Sequence, residues 1–188
     1  MPDTIPVPAT KLTYRDYAKL PDDGRRYEIL DGEVVVSPSA GSPHQSVQLL
    51  LGRQLLARIH DRHLGQVFGD LDCELLPHDI VRPDLLVVLR AHYDRITKTR
   101  VIGTPDLVVE ILSPGNAARD RHEKRRRYQA AGTPELWLVD ERTHTVTQFV
   151  LDGKRFAPGR RSKRSLELAI LPGVVIQLAK IWPARATD

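Results

Sequence analysis

The order of apolar runs predicts an α/β domain, a mixed β-sheet with helices packed against it. Three observations carry this. Asp31-Gly32 joins the runs YEIL and EVVVS as a hairpin, because both residues tolerate positive φ. Over residues 42–60, Val47, Leu51, Leu55 and Ile59 recur at steps of four, the spacing of one helix face. LLVVL at 85–89, DLVVEIL at 106–112 and ELWLVD at 135–140 read as buried strands.

Taken in order, residues 1–10 hold three prolines and read as loose. TYRDYAKL at 13–20 suits a short helix capped by Thr13. The hairpin follows. The helix of 42–60 starts with Ser42 as cap, Pro43 in the first turn and Gln45 closing a capping box, and Leu50 and Leu56 widen its stripe. Short strands are expected around 66–76, 85–89 and 106–112, then a helix over 116–131 ended by Gly132. ELWLVD and TVTQFVL at 145–151 form a second hairpin, and the remainder adds an edge strand. The division expected is an N-terminal extension at 1–22, one domain at 23–182 and a loose tail at 183–188.

Composition narrows the function classes. Of 188 residues, 41% are hydrophobic and 28% charged, as in an ordinary globular domain. No apolar run nears the roughly 20 residues of a membrane span, and the first residues lack the pattern of a secretory signal. Cys73 is the only cysteine, which excludes an internal disulfide and a cysteine-rich zinc cluster. A cytoplasmic protein without a membrane partner is expected. The formal charge is only +4, but RDRHEKRRR at 119–127 and RRSKR at 160–164 concentrate it. Such clusters suit a phosphate-rich partner, although each also suits a solvated surface.

The chemistry starts at Glu110. Strand alternation puts Asp106, Val108, Glu110 and Leu112 on one side, so Glu110 lies mid-strand among apolar residues. An unpaired carboxylate there would cost several kcal/mol. A metal ion or a lysine would offset that, and so would a structural salt bridge. Asp84 stands at the entry of another apolar strand, after Pro83. Pro105-Asp106 repeats the dipeptide, but Asp106 is four residues from Glu110, about 13 Å along one strand, too far to share an ion easily. At about 100° per residue, Lys124 falls within about 20° of Ala117 and near Tyr128 and Ala131, the least polar stripe of the second helix. Lys124 is therefore the basic residue best placed to face the sheet. A snorkelling lysine on an amphipathic helix is the plainer alternative. Arg119, His122, Glu123 and Arg126 point away, where arginines suit a nucleic-acid backbone. Two acids on adjacent strands plus a lysine fit metal-assisted phosphodiester hydrolysis, with Mg²⁺ or Mn²⁺ on the oxygen ligands.

The stretches YEILDGEVVVSPSAGSPHQ, RPDLLVV, TPDLVVEILSPGN, RDRHEKRRRYQAAGTPELWLVD and TVTQFV together resemble the Uma-type restriction endonucleases of the PD-(D/E)XK nuclease superfamily. The likeness runs from about Tyr27 to Leu151. It implies a restriction-endonuclease-like fold and a metal-dependent endonuclease, with DNA as the expected substrate. Asp84 matches the motif aspartate and Glu110 the second acid, so these two are the implied metal ligands. Leu112 stands where the superfamily lysine is usual, and Lys124 matches the lysine this family places on the following helix. Glu28, Glu33 and His44 match recurrent family positions and are auxiliary candidates. Arg119, Arg125 and Arg126 are the candidates for the nucleic-acid backbone. A homodimer would suit cutting of both strands. The rival reading is a non-catalytic nucleic-acid-binding or structural protein that keeps the fold. No GxxxxGK[ST], GxSxG or HExxH occurs.

Overall fold

A computed structural model describes residues 10–37, 41–112 and 120–183, the last segment with side chains from His122 onward. Within these, a helical turn α1 (Tyr14–Tyr17) precedes the hairpin β1 (Arg26–Leu30) and β2 (Glu33–Ser37). Asp31 at φ 55° and Gly32 at φ 83° make the tight turn. Helix α2 (Ser42–Leu55) continues through a π-helical turn to His60. Its cap is Gly41, whose carbonyl accepts the Gln45 N–H, so Ser42 is already helical and the expected Ser42–Gln45 box does not form.

β3 (Gly65–Gly69), β4 (Asp72–Leu76), β5 (Asp79–Val81), β6 (Leu85–Leu89), β7 (Arg100–Ile102) and β8 (Leu107–Leu112) follow. A π-helical turn at Asp120–Lys124 leads into α3 (Arg125–Ala131). Gly132 ends α3 at φ 84°, the left-handed conformation a glycine takes at low cost. β9 (Glu135–Asp140) and β10 (Thr145–Asp152) pair antiparallel, and β11 (Arg155–Phe156) and β12 (Arg160–Ser162) both add to β10. β13 (Leu166–Glu167) and β14 (Val175–Ile176) form a separate small pair.

There are two principal sheets rather than one. The larger runs β11-β10-β9-β8-β6-β3, and β8 and β9 are its parallel pair. The smaller runs β2-β1-β5-β4-β7. The run at 66–76 divides at Asp70-Leu71, sending β3 to one sheet and β4 to the other. Three-residue β5 and β7 are too short for a periodic signal.

Strand alternation gives the large sheet two apolar faces. Leu85, Val87, Leu107, Val109, Ile111, Trp137 and Val139 pack under α2 and the C-terminal segment. Leu86, Val88, Val108, Leu112, Leu136 and Leu138 meet Leu30, Cys73, Val81 and Val101 of the smaller sheet, and Tyr128 of α3. Val47, Leu51, Leu55 and Ile59 of α2 are all fully buried, as their spacing predicts, while Leu56 is exposed. Replacing Leu51 by alanine is expected to cost about 2–5 kcal/mol in urea unfolding, because the sheet beneath cannot collapse into the void.

Buried acids outside the chemistry have structural partners. Glu135 accepts from Trp137 Nε1 and Gln148 Nε2, each at 2.6 Å, and from the Ile170 N–H at 3.0 Å, pinning the C-terminal segment. Burial raises its pKa and these hydrogen bonds offset part of the rise. Asp106 accepts the Leu89 N–H at 2.7 Å and lies 2.8 Å from His92 Nδ1, so it ties down the turn after β6. Among the described residues no helix is long and apolar enough to cross a membrane.

Candidate active site

Both acids of the expected pair face the space between the sheets. On β8, Leu107, Val109 and Ile111 point to α2, so Glu110 points the other way, as parity requires. Antiparallel pairing sets Leu85 against Val109. One step further along that register, Asp84 stands opposite Glu110. The Ile111 N–H donates to Asp84 Oδ2 at 2.6 Å. Glu110 and Asp84 are each 2% exposed.

A third carboxylate arrives from the smaller sheet. Glu28 lies on β1 and is fully buried. Its Oε1 accepts the Arg82 N–H at 2.9 Å. Lys124, at the junction of the π-helical turn and α3, is 4% exposed and reaches between the acids. Its Nζ lies 2.9 Å from Glu28 Oε1 and 3.2 Å from both oxygens of Glu110. One turn on, the Tyr128 hydroxyl donates to Glu110 Oε1 at 2.5 Å. Burial, and then the charges of Glu110 and Glu28, push the Tyr128 pKa well above the ordinary phenol value, so it remains a donor.

Asp84 sits in a cationic cage. Arg26 Nη1 donates to Oδ1 at 2.8 Å, and Arg26 Nη2 also reaches the Arg82 carbonyl. His44 Nε2 lies 3.3 Å from Asp84 Oδ2. Burial alone would raise the Asp84 pKa. The His44 hydrogen bond, the Arg26 charge and the Ile111 amide outweigh it and hold the carboxyl at about 2. For His44, burial opposes the cation, but the hydrogen bond and charge of Asp84 prevail and raise its pKa. Gln48 Nε2 donates to the Asp84 carbonyl at 2.8 Å and to Asp70 Oδ2 at 2.7 Å, bracing the start of β6.

Three carboxylates face two fixed cations, Lys124 and Arg26, leaving a formal excess of one negative charge. His44 protonation or an added cation would offset it. The donor set suits a hard divalent ion, because all three acids present oxygens. Glu28 Oε2 is buried and makes no hydrogen bond among the described residues, an acceptor open to such an ion. As the side chains stand, no three histidine, cysteine or acidic groups among the described residues are spaced to hold one ion. Arg26 and His44 occupy Asp84, and Lys124 and Tyr128 occupy Glu110, so these donors must yield ground for an ion to be shared.

Asp84, Glu110, Lys124, Glu28 and His44 are thus brought together. Glu33 is not: it stands exposed on β2, beyond β1 from the cluster. Leu112 is buried in the apolar core between the sheets. Arg126 is exposed, Arg125 half-buried with its guanidinium 5.2 Å from the Phe149 ring centre, and Arg119 and Ala117 lie outside the described residues. Arg26, Gln48 and the Tyr128 hydroxyl are site groups that the sequence motifs do not mark. Arg26 could have been found from parity with Glu28 and Leu30, which alternate onto the same face of β1.

A protein family described as "Putative restriction endonuclease", Uma2, matches residues 14–179. The chain belongs to the Uma2 family. Among solved structures, a putative nuclease of DUF820 from Anabaena variabilis ATCC 29413 superposes with a TM-score of 0.73 at 18% identity, over 90% of this chain and 97% of that one. That likeness is one of fold, and it agrees with the restriction-endonuclease-like α/β architecture. No protein of curated function matches the chain. In the Uma2 frame the coarse class is a nuclease, and the buried acids with Lys124 are its candidate centre.

Proposed function

We propose that this Uma2 protein is a Mg²⁺- or Mn²⁺-dependent endonuclease that hydrolyses DNA phosphodiester bonds. The observation that carries the reading is Lys124: a buried lysine held within 3.2 Å of Glu28 and Glu110, beside Asp84 on the neighbouring strand. Asp84 and Glu110 would hold the ion, with Glu28 as a further ligand. When bound, the ion supplies Lewis-acid polarisation of the phosphate and a lowered pKa for the attacking water.

The chain's own groups do the rest. Lys124 Nζ holds the charge that builds on the phosphoryl oxygens and orients the water. Tyr128 fixes Glu110 by donating to Oε1. Arg26 and His44 keep Asp84 ionised, and with an ion held by Asp84 their donors would be available to phosphate oxygens. Exposed Arg126 and half-buried Arg125 suit the nucleic-acid backbone, and Arg119 is assigned there from sequence alone. Cutting both strands of a duplex calls for two such centres, which a homodimer would supply.

One observation favours a second reading. The carboxylates are already paired with Lys124 and Arg26, as in a structural ion network of a non-catalytic nucleic-acid-binding protein. Calorimetric titration with Mg²⁺ and Mn²⁺ separates the two. The nuclease reading expects saturable binding that is lost in Asp84→Ala. Nucleic-acid binding with no response to either metal would favour the second reading.

A further inference from the structure

One cavity, of about 280 Å³, lies on the same sheet face as Glu110 and belongs to none of the groups assigned above except Arg125. His122 and Arg125 border it from the helical side, Thr147 and Phe149 from β10, Arg161 from β12 and Asp140 from β9. The fold here joins the two basic segments, 119–127 and 160–164, which lie far apart in the chain.

Register shows how the cavity relates to the candidate centre. Glu110 pairs with Leu138, Leu138 with Thr147, and Thr147 with Arg161. Directly paired residues point to one face of a sheet. A straight cross-strand row therefore runs from Glu110 to Arg161 over three strand spacings, about 14 Å. That distance is the reach of a few nucleotides of one strand.

The lining is built for an anion. Two guanidiniums and an imidazole face one carboxylate, Asp140, whose Oδ1 accepts the N–H groups of Arg142 and Thr143 at 3.1 and 3.2 Å. Arg125 lies over the Phe149 ring, which orients its guanidinium without using its donors on an acid. Arg161 reaches only the Thr145 hydroxyl, at 3.4 Å, among the described contacts, so its charge remains available.

We propose that this cavity is a DNA phosphate subsite, in which Arg161 and Arg125 grip the strand being cut a few nucleotides from the scissile phosphate. The strand lies along the Glu110–Leu138–Thr147–Arg161 row. This assignment rests on the nuclease reading above and adds the direction of the bound strand and a binding residue, Arg161.

The test is fluorescence anisotropy of a labelled short DNA duplex with the full chain in chelator, across a range of salt. Arg161→Ala is expected to weaken binding roughly tenfold and to lower the salt slope by about one. Arg161→Lys should retain the slope. Lys163→Ala, in the same basic segment but outside the cavity, should change both far less. Arg161 is exposed, so Arg161→Ala should fold, which circular dichroism checks. If Arg161→Ala binds like wild type, or no worse than Lys163→Ala, the subsite is wrong even where wild type cuts DNA. If wild type neither binds nor cuts DNA, the nuclease reading fails and the subsite with it.

Discussion

Lys124→Ala is expected to reduce DNA cleavage by roughly 10²–10³-fold, the loss typical when one preorganised donor to a developing anion is removed. It should also destabilise the fold by about 3–5 kcal/mol in chelator, because Glu28 and Glu110 then remain buried without the cation between them. The two effects are separable. Glu110→Gln with Lys124→Met removes one acid and one cation and restores the formal charge excess to one. That double variant should recover much of the stability and none of the activity. Urea unfolding measures the first and plasmid nicking the second. Full cleavage by a folded Lys124→Ala protein would leave Lys124 as a structural counter-ion only.

Asp84→Asn is expected to lose about 2 kcal/mol of stability at neutral pH, and that deficit should shrink as pH falls below about 4. The sign follows from proton binding. The Asp84 carboxyl titrates at about 2 in the fold against an ordinary value of 3.8. Between those values the unfolded chain binds more protons, so the stabilisation is present above about pH 4 and is lost as pH falls through 2. His44 runs the other way. Its pKa is raised by Asp84, so its contribution is present below its ordinary value of 6.5 and fades as pH rises through the raised value. In Asp84→Asn the His44 titration, followed by NMR in chelator, should move down. A wild-type–variant stability gap that is the same at pH 7 and pH 2 would show that Asp84 is not held ionised by its cage.

The placement of the candidate site residues is legible in sequence where local periodicity carries the information. Glu110 follows from alternation along a single apolar strand. Lys124 faces the sheet as expected, but it closes a π-helical turn, and Ala117, from which the spacing is counted, lies outside the described residues. The Asp31-Gly32 turn and the α2 stripe are likewise local patterns. Arg26 is legible only as to its face: parity sets it with Glu28 and Leu30, but nothing in the polar stretch DDGRR points to Asp84, 58 residues on. The two-sheet division leaves no periodic trace in the sequence, because it turns on three-residue strands and a short break between β3 and β4. The sequence could show that RRSKR was basic; only the β10–β12 pairing aligns Arg161 with Glu110.

The most direct measurement is cleavage of supercoiled plasmid, linear duplex DNA, single-stranded DNA and RNA by wild type, Asp84→Ala, Glu110→Ala and Lys124→Ala, each with Mg²⁺ and with Mn²⁺. Metal-dependent cutting of DNA by wild type, abolished in Asp84→Ala and Glu110→Ala and strongly reduced in Lys124→Ala, is the expected result. Equal cutting by all four proteins would assign the activity to something other than this centre and contradict the account.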